Sequence, residues 1–240
     1  MSVIEDAAVT AYHKLAGIAQ YRSDLYRIFA LGFSNPTEDF ITDLQSGALV
    51  DNLQQCLDTL ALNESHYGTA LQGLSALTTK HQNGNPQTLL SQLRVEYMRL
   101  FIGPSNPVTP IYETLHREVN ENGARPMLVA SQTALAVEQC YRKSGVKMIS
   151  HDSPDHLATE LEFLVYLCGK EAQAWQEDNN TMAKKWRRLQ LEFLNEHLGA
   201  WGLTFCRQVR ELAAERFYQY FATLAETFLY CETGAFKPRS

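Results

Sequence analysis

Apolar residues recur at helical spacing in block after block of this chain, and no block alternates apolar with polar as a half-buried strand would. The pattern predicts an all-α protein. In the first block, roughly 9–33, Ile18, Tyr21, Leu25 and Ile28 form one stripe, and Ser34-Asn35-Pro36 ends it. Thr37 caps a short helix that stops before Ser46-Gly47. Further helices fit 49–60 and 65–80, and the turn-rich HQNGNP then precedes a helix with Leu89, Leu93, Tyr97 and Leu100 on one stripe. Periodicity resumes over 127–144, 153–175, 181–197, 201–214 and 217–230. Roughly ten helices, short connections and no fixed-period repeat describe a single irregular helical bundle. The longest unpatterned stretch, 103–126, carries Pro104, Pro107, Pro110, Gly123 and Pro126, and is the expected hinge between an N-terminal half (1–102) and a C-terminal half (127–240).

With 240 residues, 45% of them hydrophobic, the chain is long enough to bury a substantial core. Its formal net charge of -6 argues against a nucleic-acid partner unless the basic residues are concentrated, and the one dense group, KKWRR at 184–188, reads as the solvated side of a helix carrying a core tryptophan. The first twenty residues lack the basic start and apolar block that export requires, and no apolar run reaches bilayer length, so a cytoplasmic protein with no membrane insertion is expected. Cys56, Cys140, Cys168, Cys206 and Cys231 are odd in number and widely spaced, which fits buried thiols better than disulfides.

Two segments stand out as carriers of function. In EYMRLFIGPSNPVTPIYETLHRE (96–118) a helical run stops at Gly103-Pro104 and gives way to a proline-rich loop ending in Tyr112-Glu113. In SPDHLATELEF, Ser153 is suited to cap a helix, Pro154 to open it and Asp155 to face its positive end, with His156 and Glu160 one turn apart. Leu157, Leu161, Leu164 and Cys168 on one side, and Phe163, Tyr166 and Leu167 on the other, make this helix apolar on two faces and therefore central. A metal reading would use His151, Asp152, Asp155, His156 and Glu160, but their spacing matches no closed ligand set. No nucleophile elbow, GxxxxGK[ST] or GxGxxG is present, so a nucleotide would have to use the 103–115 loop with His156.

Taken together, EYMRLFIGP, the P-x-Y that follows, PDHLATELEFL and the later FLNEHLGAW resemble the TorD family of redox-enzyme maturation chaperones, which includes TorD, DmsD and the more distant NarJ. The resemblance covers roughly the last 150 residues by motif. It falls on Glu96, Tyr97, Leu100, Phe101, Gly103 and Pro104, then on Pro110, Tyr112 and Glu113, and finally on Pro154, Asp155 and His156. Ser153 stands where an acidic residue is often found, and the tryptophans that some members carry around the first motif are absent.

The resemblance implies a binding protein rather than an enzyme, with no cofactor of its own beyond a weak association with guanine nucleotide. Its partner would be the precursor of a molybdopterin enzyme's catalytic subunit, held through its twin-arginine leader, its body, or both. Two guanidinium groups beside an apolar stretch call for carboxylates along an apolar groove. Glu113, Asp155 and Glu160 are the expected carboxylates, and Tyr97, Phe101, Ile111, Tyr112 and Leu115 the expected wall, so that 96–115 and 153–160 must lie together. A monomer and a domain-swapped dimer are both compatible with a hinge at 103–126.

Overall fold

How these helical blocks form a bundle is visible in a computed structural model, which describes residues 3–103, 107–117, 131–148 and 152–234. Eleven α-helices lie among these residues: α1 (Val3–Gly32), α2 (Glu38–Ser46), α3 (Ala48–Thr59), α4 (Glu64–His81), α5 (Pro86–Tyr97), α6 (Glu113–Arg117), α7 (Gln132–Lys143), α8 (Leu157–Gln176), α9 (Asn180–Glu196), α10 (Leu198–Leu212) and α11 (Arg216–Glu232). Helix α5 continues into a π-helical turn, Met98–Ile102. No strand occurs among the described residues beyond one isolated bridge.

Caps account for most helix starts. Thr37 accepts a hydrogen bond from the Phe40 amide, as the sequence suggests, and Asn63, Asn85 and Asn179 do the same for α4, α5 and α9. Helices α9 and α10 meet at the single residue His197, so α10 begins three residues before the expected Trp201. That tight corner needs Gly199, where a Cβ would lie 2.4 Å from the Leu194 carbonyl oxygen.

Helix α8 is central, as its two apolar faces require. It packs against α1, α9 and α10, and Leu161, Leu164, Leu167 and Cys168 are buried along it. Helix α11 packs against α10, α4 and α1. Between these layers runs an aromatic seam in which Phe33 meets Phe205 and Phe221 at centroid distances of 5.3 Å, and Phe101 stacks on Phe205 at 5.6 Å. Burying each such ring contributes about 1.5–3 kcal/mol, with roughly 0.5–1.5 kcal/mol more per well-oriented pair. One buried apolar cluster extends from Leu25 to Leu229 and draws on residues from both sides of the 103–126 stretch. Pro104, Gly123 and Pro126 of that stretch lie outside the described residues.

Candidate functional site

The first segment is shaped by its helix end. The π-turn closes with the Gly103 amide donating to Met98 O at 2.7 Å, and Gly103 adopts φ 61 and ψ 157, a region that only glycine enters at low cost. Glu96 is buried and faces inward. Its carboxylate takes Arg99 Nε at 2.7 Å and the Ala214 amide at 2.6 Å, tying the end of α5 to the start of α11. Burial would raise this carboxyl, yet the Arg99, Ala214 and Glu215 hydrogen bonds outweigh it and hold Glu96 below the usual carboxylate range. The chain then returns toward the core, with the Thr109 amide donating to Leu100 O at 2.8 Å and Ile111 wholly buried.

The second segment meets it there. Tyr112 and His156 form an antiparallel bridge, flanked by Leu157 N donating to Ile111 O and Glu113 N donating to Asp155 O, each at 3.0 Å. This two-stranded strap brings together the segments that the motifs place about forty residues apart. Asp155 locks it: Oδ2 accepts from the Thr114 amide at 2.8 Å, so the carboxylate caps α6 across the strap, and Ser153 Oγ donates to Oδ1. The expected capping of α8 by Ser153 is therefore corrected. His156 takes that place, its Nδ1 accepting from the Ala158 amide at 3.1 Å, while its ring meets Tyr112 edge-on at 5.1 Å. Burial lowers the His156 imidazole despite the nearby Asp152 and Asp155. Pro154 offers its carbonyl to the Tyr141 hydroxyl at 2.7 Å, and Pro110 offers its own to His116 Nε2 at 2.7 Å.

The carboxylates expected along an open groove lie inside the protein instead. Glu113, Asp155 and Glu160 are each fully buried. Glu113 accepts from Arg117 Nη1 at 2.5 Å and faces His197 Nδ1 at 3.0 Å. Glu160 Oε2 accepts from Trp201 Nε1 at 3.2 Å, whereas its Oε1 has no hydrogen-bond partner among the described residues. Burial, joined by the Glu113 and Asp155 charges, drives Glu160 well above the ordinary carboxyl range. Phe101 and Ile111 likewise belong to the core, Tyr97 is nearly covered, and Tyr112 and Leu115 are half-buried. The physical reason is proximity: a strap hydrogen-bonded to the start of a central helix turns its inner side chains into that helix's environment.

What the strap leaves outside is different. Asp152 is exposed, and its charge adds to the burial that pushes the Tyr97 and Tyr112 phenols up. Beside Tyr141, the α7–α8 junction opens a cleft of about 320 Å³ walled by Val146, Met148, Phe163 and Tyr166, with exposed Glu162 and Lys147 at its edge. Sequence reasoning missed Glu162, whose only signal is a charge interrupting an apolar helix. It also missed the roles of His197, Thr114 and Ser131, the last two joined by a 2.6 Å hydroxyl pair that links α6 to the cap of α7.

Of the metal alternative, His151 lies outside the described residues, and no group of three or more His, Cys, Asp or Glu side chains that could hold a metal ion occurs among those described. No helix among the described residues is long and apolar enough to cross a membrane.

Residues 60–207 match the sequence profile of the family described as nitrate reductase delta subunit. The chain is 26% identical over 215 residues to the perchlorate reductase assembly chaperone protein of Dechloromonas aromatica (strain RCB), covering 87% of this chain and 86% of that protein. It is 32% identical over 136 residues to the chlorate reductase assembly chaperone protein of Ideonella dechloratans, covering 56% of this chain and 65% of the relative. A crystal structure of a candidate redox enzyme maturation protein from Archaeoglobus fulgidus aligns with a TM-score of 0.47 and 20% identity, over 86% of this chain and 93% of that one.

Proposed function

The chain belongs to the TorD-like family of nitrate reductase delta subunits, and we propose that it is a cytoplasmic assembly chaperone for a molybdopterin-containing oxidoreductase. It binds the twin-arginine leader, the enzyme body, or both, assists cofactor insertion and delays export until the client is mature. It acts by binding rather than turnover. The observation that carries this reading is the family match, which spans the whole strap from Ile111 to Leu157. Relatives named as assembly chaperones for perchlorate and chlorate reductases support an oxyanion reductase as the client.

The α7–α8 cleft supports this reading. A leader offers guanidinium groups next to an apolar stretch, and the α7–α8 cleft offers the complement: an apolar wall of Val146, Met148 and Phe163 with the Glu162 carboxylate at its edge. Asp152 and Tyr112 extend an acidic and aromatic border along the outer side of the strap. In this reading the buried Glu113, Asp155 and Glu160 position the strap, while Asp152 and Glu162 make the charged contacts.

The test is a strain lacking this chain. The client reductase is expected to accumulate without its molybdopterin and to co-purify with the tagged chaperone when the gene is restored. Full cofactor content in the deleted strain, with no co-purification, overturns the proposal.

A further inference from the structure

One cluster near the strap adds to the Glu113–His197 tie a thiol that neither the fold nor leader recognition uses. Cys140 Sγ, on α7, lies 3.6 Å from Nε2 of His197, and the opposite ring nitrogen, Nδ1, lies 3.0 Å from Glu113 Oε2. Thiol, imidazole and carboxylate thus stand in line, drawn from α7, the α9–α10 corner and α6. This is the order in which an acid orients a base and the base takes a proton from a nucleophile. His197 and Glu113 are buried, whereas Cys140 is only partly covered.

We propose that Cys140, His197 and Glu113 form a base-assisted thiol, a modification site at which hydroperoxides oxidise Cys140 to its sulfenic acid.

Electrostatics agree with the geometry. Burial would lower the His197 imidazole, but the hydrogen bonds to Cys140 and Glu113, and their charges, push it up to about 9. A Glu113 carboxylate on Nδ1–H therefore favours the arrangement in which His197 holds the shared proton. The other charged and titratable groups around the cluster are Arg117, bound to Glu113, and Glu160, Asp155 and Tyr141 on the side of α8 and α7. The remaining cysteines differ. Cys56, Cys168 and Cys206 are buried, with thiols pushed up chiefly by burial, and exposed Cys231 is raised by burial and by Glu232.

The reaction balances with the peroxide as the oxidant. With the proton shared by the pair held on His197 Nε2, the sulfur forms an S–O bond to one peroxide oxygen as the O–O bond breaks. The departing oxygen leaves with the electron pair and collects the proton from Nε2. Sulfur loses two electrons, hydrogen peroxide becomes water, and an organic hydroperoxide becomes its alcohol. The new S–OH group lies against the Glu113–His197 tie that anchors α6 to the α9–α10 corner.

The experiment treats the intact protein with hydrogen peroxide and a sulfenic-acid trap, and follows each cysteine by peptide mass spectrometry between pH 6 and 10. At pH 7, Cys140 is expected to be trapped at least about tenfold faster than the more exposed Cys231, and His197→Gln to slow Cys140 by about tenfold or more while leaving Cys231 unchanged. If His197→Gln does not fold, the wild-type protein still decides, because Cys231 is the internal control. Preferential trapping of Cys231, or a Cys140 rate with the same pH profile as Cys231, overturns the proposal.

Discussion

Two buried polar clusters occupy this bundle, and their contents differ. Around Arg22, on α1, every charge is answered: Nε meets Glu232 at 2.9 Å, Nη1 meets Glu171 at 3.0 Å, Nη2 reaches Gln190, and Tyr26 adds a hydroxyl to Glu232 at 2.9 Å. Under the strap, three carboxyls from Glu113, Asp155 and Glu160 face one imidazole and the half-exposed Arg117, and one Glu160 oxygen has no partner among the described residues. The first cluster is a closed tie among α1, α8, α9 and α11. The second holds three acids against two bases, and it does so beneath the segments that carry the family motifs. Burying an acid without a partner is costly, and burial answers it here by raising Glu160, which favours its neutral form.

The largest expected effect is on the closed cluster. Arg22→Met leaves buried Glu171 without a cation and Glu232 with Arg187 alone at 3.3 Å, so urea denaturation should show a loss of about 3–5 kcal/mol. Asp155→Ala removes the acceptor for the buried Thr114 amide, and should cost about 1–3 kcal/mol in the same measurement, with Asp155→Asn less damaging because an acceptor remains.

Glu160→Gln sharpens the contrast, since burial favours the neutral form of its carboxyl and an amide oxygen can still accept from Trp201. Stability should change by less than about 1 kcal/mol at neutral pH. A loss as large as that of Arg22→Met would mean that Glu160 is ionised and paired, and would erase the distinction between the clusters.

The clusters also differ in their pH dependence. His197 is raised in the folded state, so its contribution is fully present below its unfolded value of 6.5 and is lost as pH rises through about 9. Glu160, also raised, acts in the same direction, because the folded protein favours its neutral form. Wild-type stability should therefore fall between pH 6.5 and 9 more steeply than that of His197→Gln, as followed by denaturation at intervals across that range.

Helical period, caps and punctuation make the fold readable in the sequence: Thr37 caps where expected, and two apolar faces place α8 at the centre. The proximity of the two motif segments was also legible through the resemblance. Side-chain direction was not. A capping pattern such as Ser-Pro-Asp-His contains three candidate caps, and the choice of His156 follows from Asp155 being drawn to an amide 41 positions away. For the same reason Glu113, expected at a groove, turned inward to His197, a partner 84 positions distant that local pattern cannot announce. Cys140 reads as one more apolar helical residue until α7 is set beside the α9–α10 corner.

The central claim is that this chain recognises a client leader on the outer side of the strap, with the buried acids holding that surface in place. Calorimetric titration of the intact protein with a synthetic twin-arginine leader tests it most directly. Saturable binding is expected, weakened at least about tenfold by Glu162→Lys or Asp152→Lys and strengthened by Lys147→Glu, in keeping with charge-assisted recognition. Absence of binding to the wild-type protein, or an affinity that none of the three substitutions alters, would contradict the account.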